Sequence, residues 1–85
     1  MNAAAAIVKH AKQRAEERYN AHLNRHEYYA LVGKIMRGES TCIKRVSNSR
    51  TVHIVDDKIV VYSSTHHKII TFLPRDCREA NAQTN

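Results

Sequence analysis

An α+β domain, with two N-terminal helices packed on a four-stranded antiparallel sheet, is predicted for this chain by three observations. Residues 3–36 are mostly helix formers whose apolar side chains recur at helical spacing. Residues 41–73 are rich in β-branched side chains interrupted by short polar clusters, as in an antiparallel meander. The single proline, Pro74, stands where the last such run ends. With 85 residues the chain is one domain, assigned to residues 1–74. A polar tail over residues 75–85 is expected to be flexible, since its Ala-Asn-Ala-Gln-Thr-Asn ending offers nothing to bury.

The first helix is expected over residues 3–19. At about 100° per residue, Ala4, Ile7, Val8, Ala11, Ala15 and Tyr19 share one face, which packs inward. His10, Arg14 and Arg18 follow one edge of that stripe, while Lys9, Lys12, Gln13 and Glu16 point to solvent. Asn20 tolerates the left-handed conformation that ends a helix, and Asn24 with Glu27 has the spacing of a capping box that opens the next. Tyr28, Leu31, Val32, Ile35 and Met36 form the buried face of this second helix, and Gly38 stops it. Strands are placed at residues 41–46, 51–55, 58–62 and 68–73. The third, Ile59-Val60-Val61-Tyr62, is apolar on both faces and therefore central, with the helices covering at least one side.

Fourteen Lys and Arg residues against eight Asp and Glu give a formal charge of +6, divided evenly about Ser40 with seven basic and four acidic residues on either side. A folded basic surface suited to a polyanion follows, although charge alone does not choose among RNA, DNA, an acidic membrane and an acidic protein. Cys42 and Cys77 are too few and too far apart for a disulfide scaffold; Cys42 is read as a small core residue and Cys77 as part of the tail. The apolar run at residues 3–8 meets Lys9 too early to be a signal core or a membrane span, so a cytoplasmic protein with no membrane partner is expected.

No glycine-rich phosphate loop is present, and His26-Glu27-Tyr28-Tyr29-Ala30 lacks the second histidine of a zinc-protease helix. His22 with His26, and His66 with His67, lack convincing zinc spacing; the first pair reads as flanking the interhelix turn and the second as part of an exposed hairpin loop. No metal and no cofactor is expected. The more informative group is the helix edge of His10, Arg14 and Arg18. Metal-free RNA cleavage needs a base for the 2′-hydroxyl, cations for the phosphorane and an acid for the leaving 5′-oxygen, and histidine with arginine supplies all three. A solvated basic face is the competing and simpler reading of the same spacing.

The order His10-Ala11-x-x-Arg14-x-x-x-Arg18, a second helix closing at Gly38-Glu39, and strands carrying Ile59-Val60-Val61-Tyr62 and Ile69-Ile70-Thr71-Phe72-Leu73-Pro74 resemble a small RelE-like family that includes BrnT-type toxins and relatives in phage and mobile elements. The resemblance spans about residues 8–74. It implies helices on an antiparallel sheet, RNA bound across that sheet, and a metal-independent endoribonuclease of toxin or phage-accessory type, acting in the host cytoplasm if phage-encoded. By it, His10 and His53 exchange protons, Arg14 and Arg18 bind phosphate, Arg45 or Arg50 stabilises the phosphorane, and Lys44, Arg50 and Thr71 join Arg18 in binding RNA. BrnT-like members usually begin with a strand that this chain lacks, and active-site residues vary widely across such folds. His53 alternates with Val52 and Ile54, and the solvated face is the ordinary place for a strand histidine. Tyr62 and Phe72 are core candidates before they are base-stacking ones. The expected partners are RNA, an antitoxin or host protein, or a second copy in a homodimer. The alternative function is a noncatalytic accessory protein that binds and modulates a host protein. A DNA-binding helix pair is disfavoured, because the interhelix turn has no tight glycine.

Overall fold

A computed structural model describes residues 3–75, and its elements run α1 (Ala3–Tyr19), α2 (Arg25–Met36), β1 (Thr41–Arg45), β2 (Arg50–Val55), β3 (Lys58–Ser63) and β4 (Lys68–Leu73). The expected α+β arrangement is therefore present. Apart from Arg75, the tail assigned to residues 75–85 lies outside the described residues.

Local chemistry sets the element ends. Asn20 adopts φ 52°, and the N–H groups of Asn20 and Ala21 reach back to the carbonyls of Glu16 and Ala15 at 3.0 and 3.3 Å. The capping box is complete: Asn24 Oδ1 accepts the Glu27 N–H at 2.8 Å, and the Glu27 carboxylate accepts the Asn24 N–H at 2.9 Å. Gly38, at φ 76°, closes α2 as the following N–H of Glu39 donates to the Lys34 carbonyl at 2.8 Å. β2 and β3 are joined by Asp56 and Asp57, both left-handed at φ 50° and 63°, the pair of signs that matches sheet twist in a two-residue hairpin.

The four strands form an antiparallel meander in the order β1-β2-β3-β4. Two bulges redirect its faces. Lys44 pairs with Val52 while Cys42 pairs with His53, leaving Ile43 as the extra residue in β1. In β4, Thr71 pairs with Val61 and Ile69 with Tyr62, leaving Ile70 extra. Strict alternation would turn Ile69 and Phe72 to opposite faces; the bulge lets both enter the core, where each is fully buried.

Both helices contribute to one core, in which Ala11 and Ala15 of α1 and Tyr28, Leu31, Val32 and Ile35 of α2 pack with Val55, Val60, Tyr62, Ile69 and Phe72. Burying each large side chain there is worth about 1.5–3 kcal/mol. A second cluster, Val52, Ile59 and Val61 flanked by Ile43, Ile70 and Leu73, draws only on the sheet among the described residues. Tyr62 and Phe72 belong to the core, as expected. Two expectations are corrected. Met36 is 59% exposed, because it lies about 90° around α2 from the middle of the buried stripe. Cys42 is exposed rather than a core residue, because it lies on the edge strand β1, whereas α1 packs on β4 and α2 on β2.

Candidate functional site

The residues that best combine acid–base and phosphate-binding chemistry lie where the C-terminal end of α2 overhangs β2. A hollow of about 430 Å³ is lined there by Arg45, Thr51, His53, Tyr62 and His67, with Ile35 and Met36 of α2 as its apolar rim. Register explains the convergence. Thr51 and His53 alternate with Val52 onto the helix side, Thr51 pairs with Tyr62 and Arg45, and the β1 bulge keeps Arg45 on that same side. The turn before β2 and the loop after β3 are tied where the Ser64 N–H donates to the Ser49 carbonyl at 2.8 Å, which holds His67 beside the hollow.

His53 is the centre of this group. Its Nδ1 lies 2.9 Å from Ser40 Oγ and its Nε2 lies 2.7 Å from Thr51 Oγ1, so a hydroxyl fixes the ring at each end. Tyr62 packs edge-to-face against the ring with centroids 6.0 Å apart. Burial pushes the His53 pKa below the ordinary histidine value, which keeps the imidazole neutral and able to accept a proton at pH 7. Arg45 is exposed and donates one N–H to the Asn48 carbonyl at 3.1 Å. A guanidinium has five N–H donors, and among the described residues the others have no partner and can serve an anion. His67 is held at φ 53°, a conformation costly for a non-glycine residue and frequent where function requires a particular side-chain direction.

His53 and Arg45 are thus brought together, and the other residues given catalytic or RNA-binding roles from sequence lie elsewhere. His10 is exposed, in a separate shallow hollow formed with Ala5, Ala6, Lys9 and Gln13. It lies about 130° around α1 from the middle of the buried face, and Arg14 and Arg18 lie progressively nearer to it. Arg14 accordingly pairs with Glu17 at 2.7 Å, while Arg18 reaches β4 and donates to the Phe72 carbonyl at 2.6 Å. Lys44 and Thr71 pair with Val52 and Val61, which places them on the sheet face away from the helices; Arg50, next to Thr51, alternates to that face as well. His22 in the interhelix turn and His26 in the first turn of α2 are exposed, and His66 and His67 lie in the β3–β4 loop.

Ser40, Thr51, Tyr62 and His67 join the site without having been assigned to it from sequence. Thr51 and His53, two apart on one strand, carry a readable signal. Ser40 and His67 do not, because only the folded register brings them to β2. Among the described residues no helix is long and apolar enough to cross a membrane. No family model matches the chain, and no curated protein or solved structure matches it.

Proposed function

We propose that the protein is a small basic RNA-directed protein and acts as a metal-independent endoribonuclease of toxin or phage-accessory type, with the His53 hollow as its centre. The observation that carries this reading is the convergence of two histidines, one arginine and a tyrosine in one hollow, one histidine being neutral at working pH. The resemblance to RelE-like toxins supports the same chemistry, with His67 taking the proton-transfer role that sequence suggested for His10.

In this mechanism His53 takes the proton from a ribose 2′-hydroxyl as that oxygen bonds to phosphorus. The bond from phosphorus to the 5′-oxygen then breaks, and His67 gives that oxygen a proton. The products are a 2′,3′-cyclic phosphate and a 5′-hydroxyl, with no oxidant or cofactor consumed. Thr51 Oγ1 occupies the approach to Nε2, and a χ1 rotation of Thr51 that carries this oxygen aside opens the nitrogen to substrate. Arg45 stabilises the charge that builds up on the phosphorane oxygens.

The test is incubation of the full chain with RNA in EDTA, with end mapping, for wild type and for His53→Ala, His67→Ala and His10→Ala. Cyclic phosphate ends are expected, with the rate falling at least about 100-fold in the first two variants and persisting in the third. Cleavage that survives His53→Ala in a folded variant removes the hollow as the centre. RNA left intact by wild type rejects catalysis and favours the alternative, a noncatalytic accessory protein that binds a host protein.

A further inference from the structure

A further hollow, of about 400 Å³, opens between α1, the start of α2 and the start of β4. Lys9 and Lys12 reach it from α1, Arg25 from α2 and Lys68 from β4, and the Tyr29 ring and Val8 supply its apolar wall. The arrangement is built around the ring: Arg25 Cζ lies 5.8 Å and Lys68 Nζ 5.6 Å from the Tyr29 centroid, both within cation–π range. Tyr29 is itself anchored edge-to-face at 5.0 Å on Tyr28, which is fully buried.

Among the described residues no acidic side chain lines this hollow, and none of its four cations forms an ion pair. Glu16, which lines an adjoining hollow with Lys9 and Lys12, faces His22 Nδ1 at 3.5 Å. Like charges gathered from three separate elements repel one another, and an anion of several charges relieves that repulsion. The space is larger than a bare phosphate needs and falls within the range of small-molecule sites, and its wall is apolar as well as cationic.

We infer that this hollow binds a nucleoside polyphosphate, its phosphates on Lys9, Lys12, Arg25 and Lys68 and its nucleoside against Val8 and Tyr29. The same chemistry occurs in a free nucleotide and in the 5′-polyphosphate end of an RNA. The site is separate from the His53 hollow and does not rest on the ribonuclease reading.

The test is calorimetric titration of the full chain in EDTA with ADP, inorganic pyrophosphate and a trinucleotide bearing a 5′-triphosphate, with amide shifts of Tyr29 and Lys68 followed by NMR. ADP or the trinucleotide is expected to bind and to move those amides; tighter binding by one identifies whether a free nucleotide or an RNA end is preferred, and either supports the site. Lys68→Gln and Lys12→Gln should each weaken binding about tenfold, as loss of a charge-assisted contact does. Arg37→Gln removes the same charge from a residue paired with Glu39 and should change affinity by less than about twofold. Should either lysine variant lose its fold, the other still carries the comparison. No binding at millimolar ligand, pyrophosphate binding as tightly as ADP, or equal loss in Arg37→Gln overturns the proposal.

Discussion

His53 shows how one residue's surroundings set its chemistry. An imidazole on the open face of a strand would titrate in its ordinary range; under the end of α2, desolvation lowers its pKa. The folded protein therefore keeps His53 neutral at pH values where the unfolded chain protonates it. The stabilisation is present in full above about pH 6.5 and is lost as pH falls through the lower folded value. In an NMR pH series His53 should titrate below the ordinary histidine value. Between about pH 7.5 and pH 5, wild type should lose more stability to urea than His53→Gln, whose side chain does not titrate. Equal losses would show that His53 contributes no such linkage.

At the scale of elements, the β2–β3 hairpin carries a local cost that the rest of the sheet sustains. Both turn residues are left-handed, and neither Asp56 nor Asp57 is glycine, the residue that adopts this conformation without a Cβ clash. Asp56 has a compensating role, since both its carboxylate oxygens accept from Lys34 Nζ, at 2.8 and 2.9 Å. Asp57 makes no side-chain ion pair among the described residues, and Arg75 uses only its carbonyl. Asp57→Gly should thus stabilise the protein by about 0.5–1 kcal/mol, read from the urea midpoint at unchanged slope. Destabilisation would mean that the Asp57 carboxylate contributes a contact of its own.

Across the whole molecule, the helix layer is tied to the sheet by an apolar core and by a few polar links of unequal weight. Tyr28 donates to the Ile69 carbonyl at 2.7 Å from a buried position, and burial pushes its phenol pKa up. Tyr19 bridges strands, donating to the Leu73 carbonyl at 2.6 Å and accepting the Ile59 N–H at 3.0 Å. The Lys34–Asp56 pair is solvated on both sides. Tyr28→Phe should cost about 1–3 kcal/mol, since the Ile69 carbonyl loses its helix-side partner where water does not reach; Lys34→Met should cost less than about 1 kcal/mol. Thermal melts of the two variants check this order, and a larger effect from Lys34→Met would reverse the assignment.

The amino-acid sequence by itself determined the elements and their ends. Asn20, the Asn24–Glu27 box and Gly38 act on backbone groups a few residues away, and the shift from helical to alternating periodicity at residues 40–41 reflects the same short-range physics. Tertiary structure alone decided which side chains meet. The edge of His10, Arg14 and Arg18 was readable from spacing, but how far each lies from the core depended on the way α1 rolls onto β4. The bulges at Ile43 and Ile70 reset the faces of the outer strands, keeping Arg45 beside His53 and letting Ile69 and Phe72 share the core face, while the edge position of β1 leaves Cys42 exposed. Lys68 reaches Tyr29, and Ser40 reaches His53, across separations that no local periodicity spans. Helix caps and alternation are satisfied within one turn or one strand, whereas a site depends on register and packing angle, which are set by the joint burial of residues far apart in the chain.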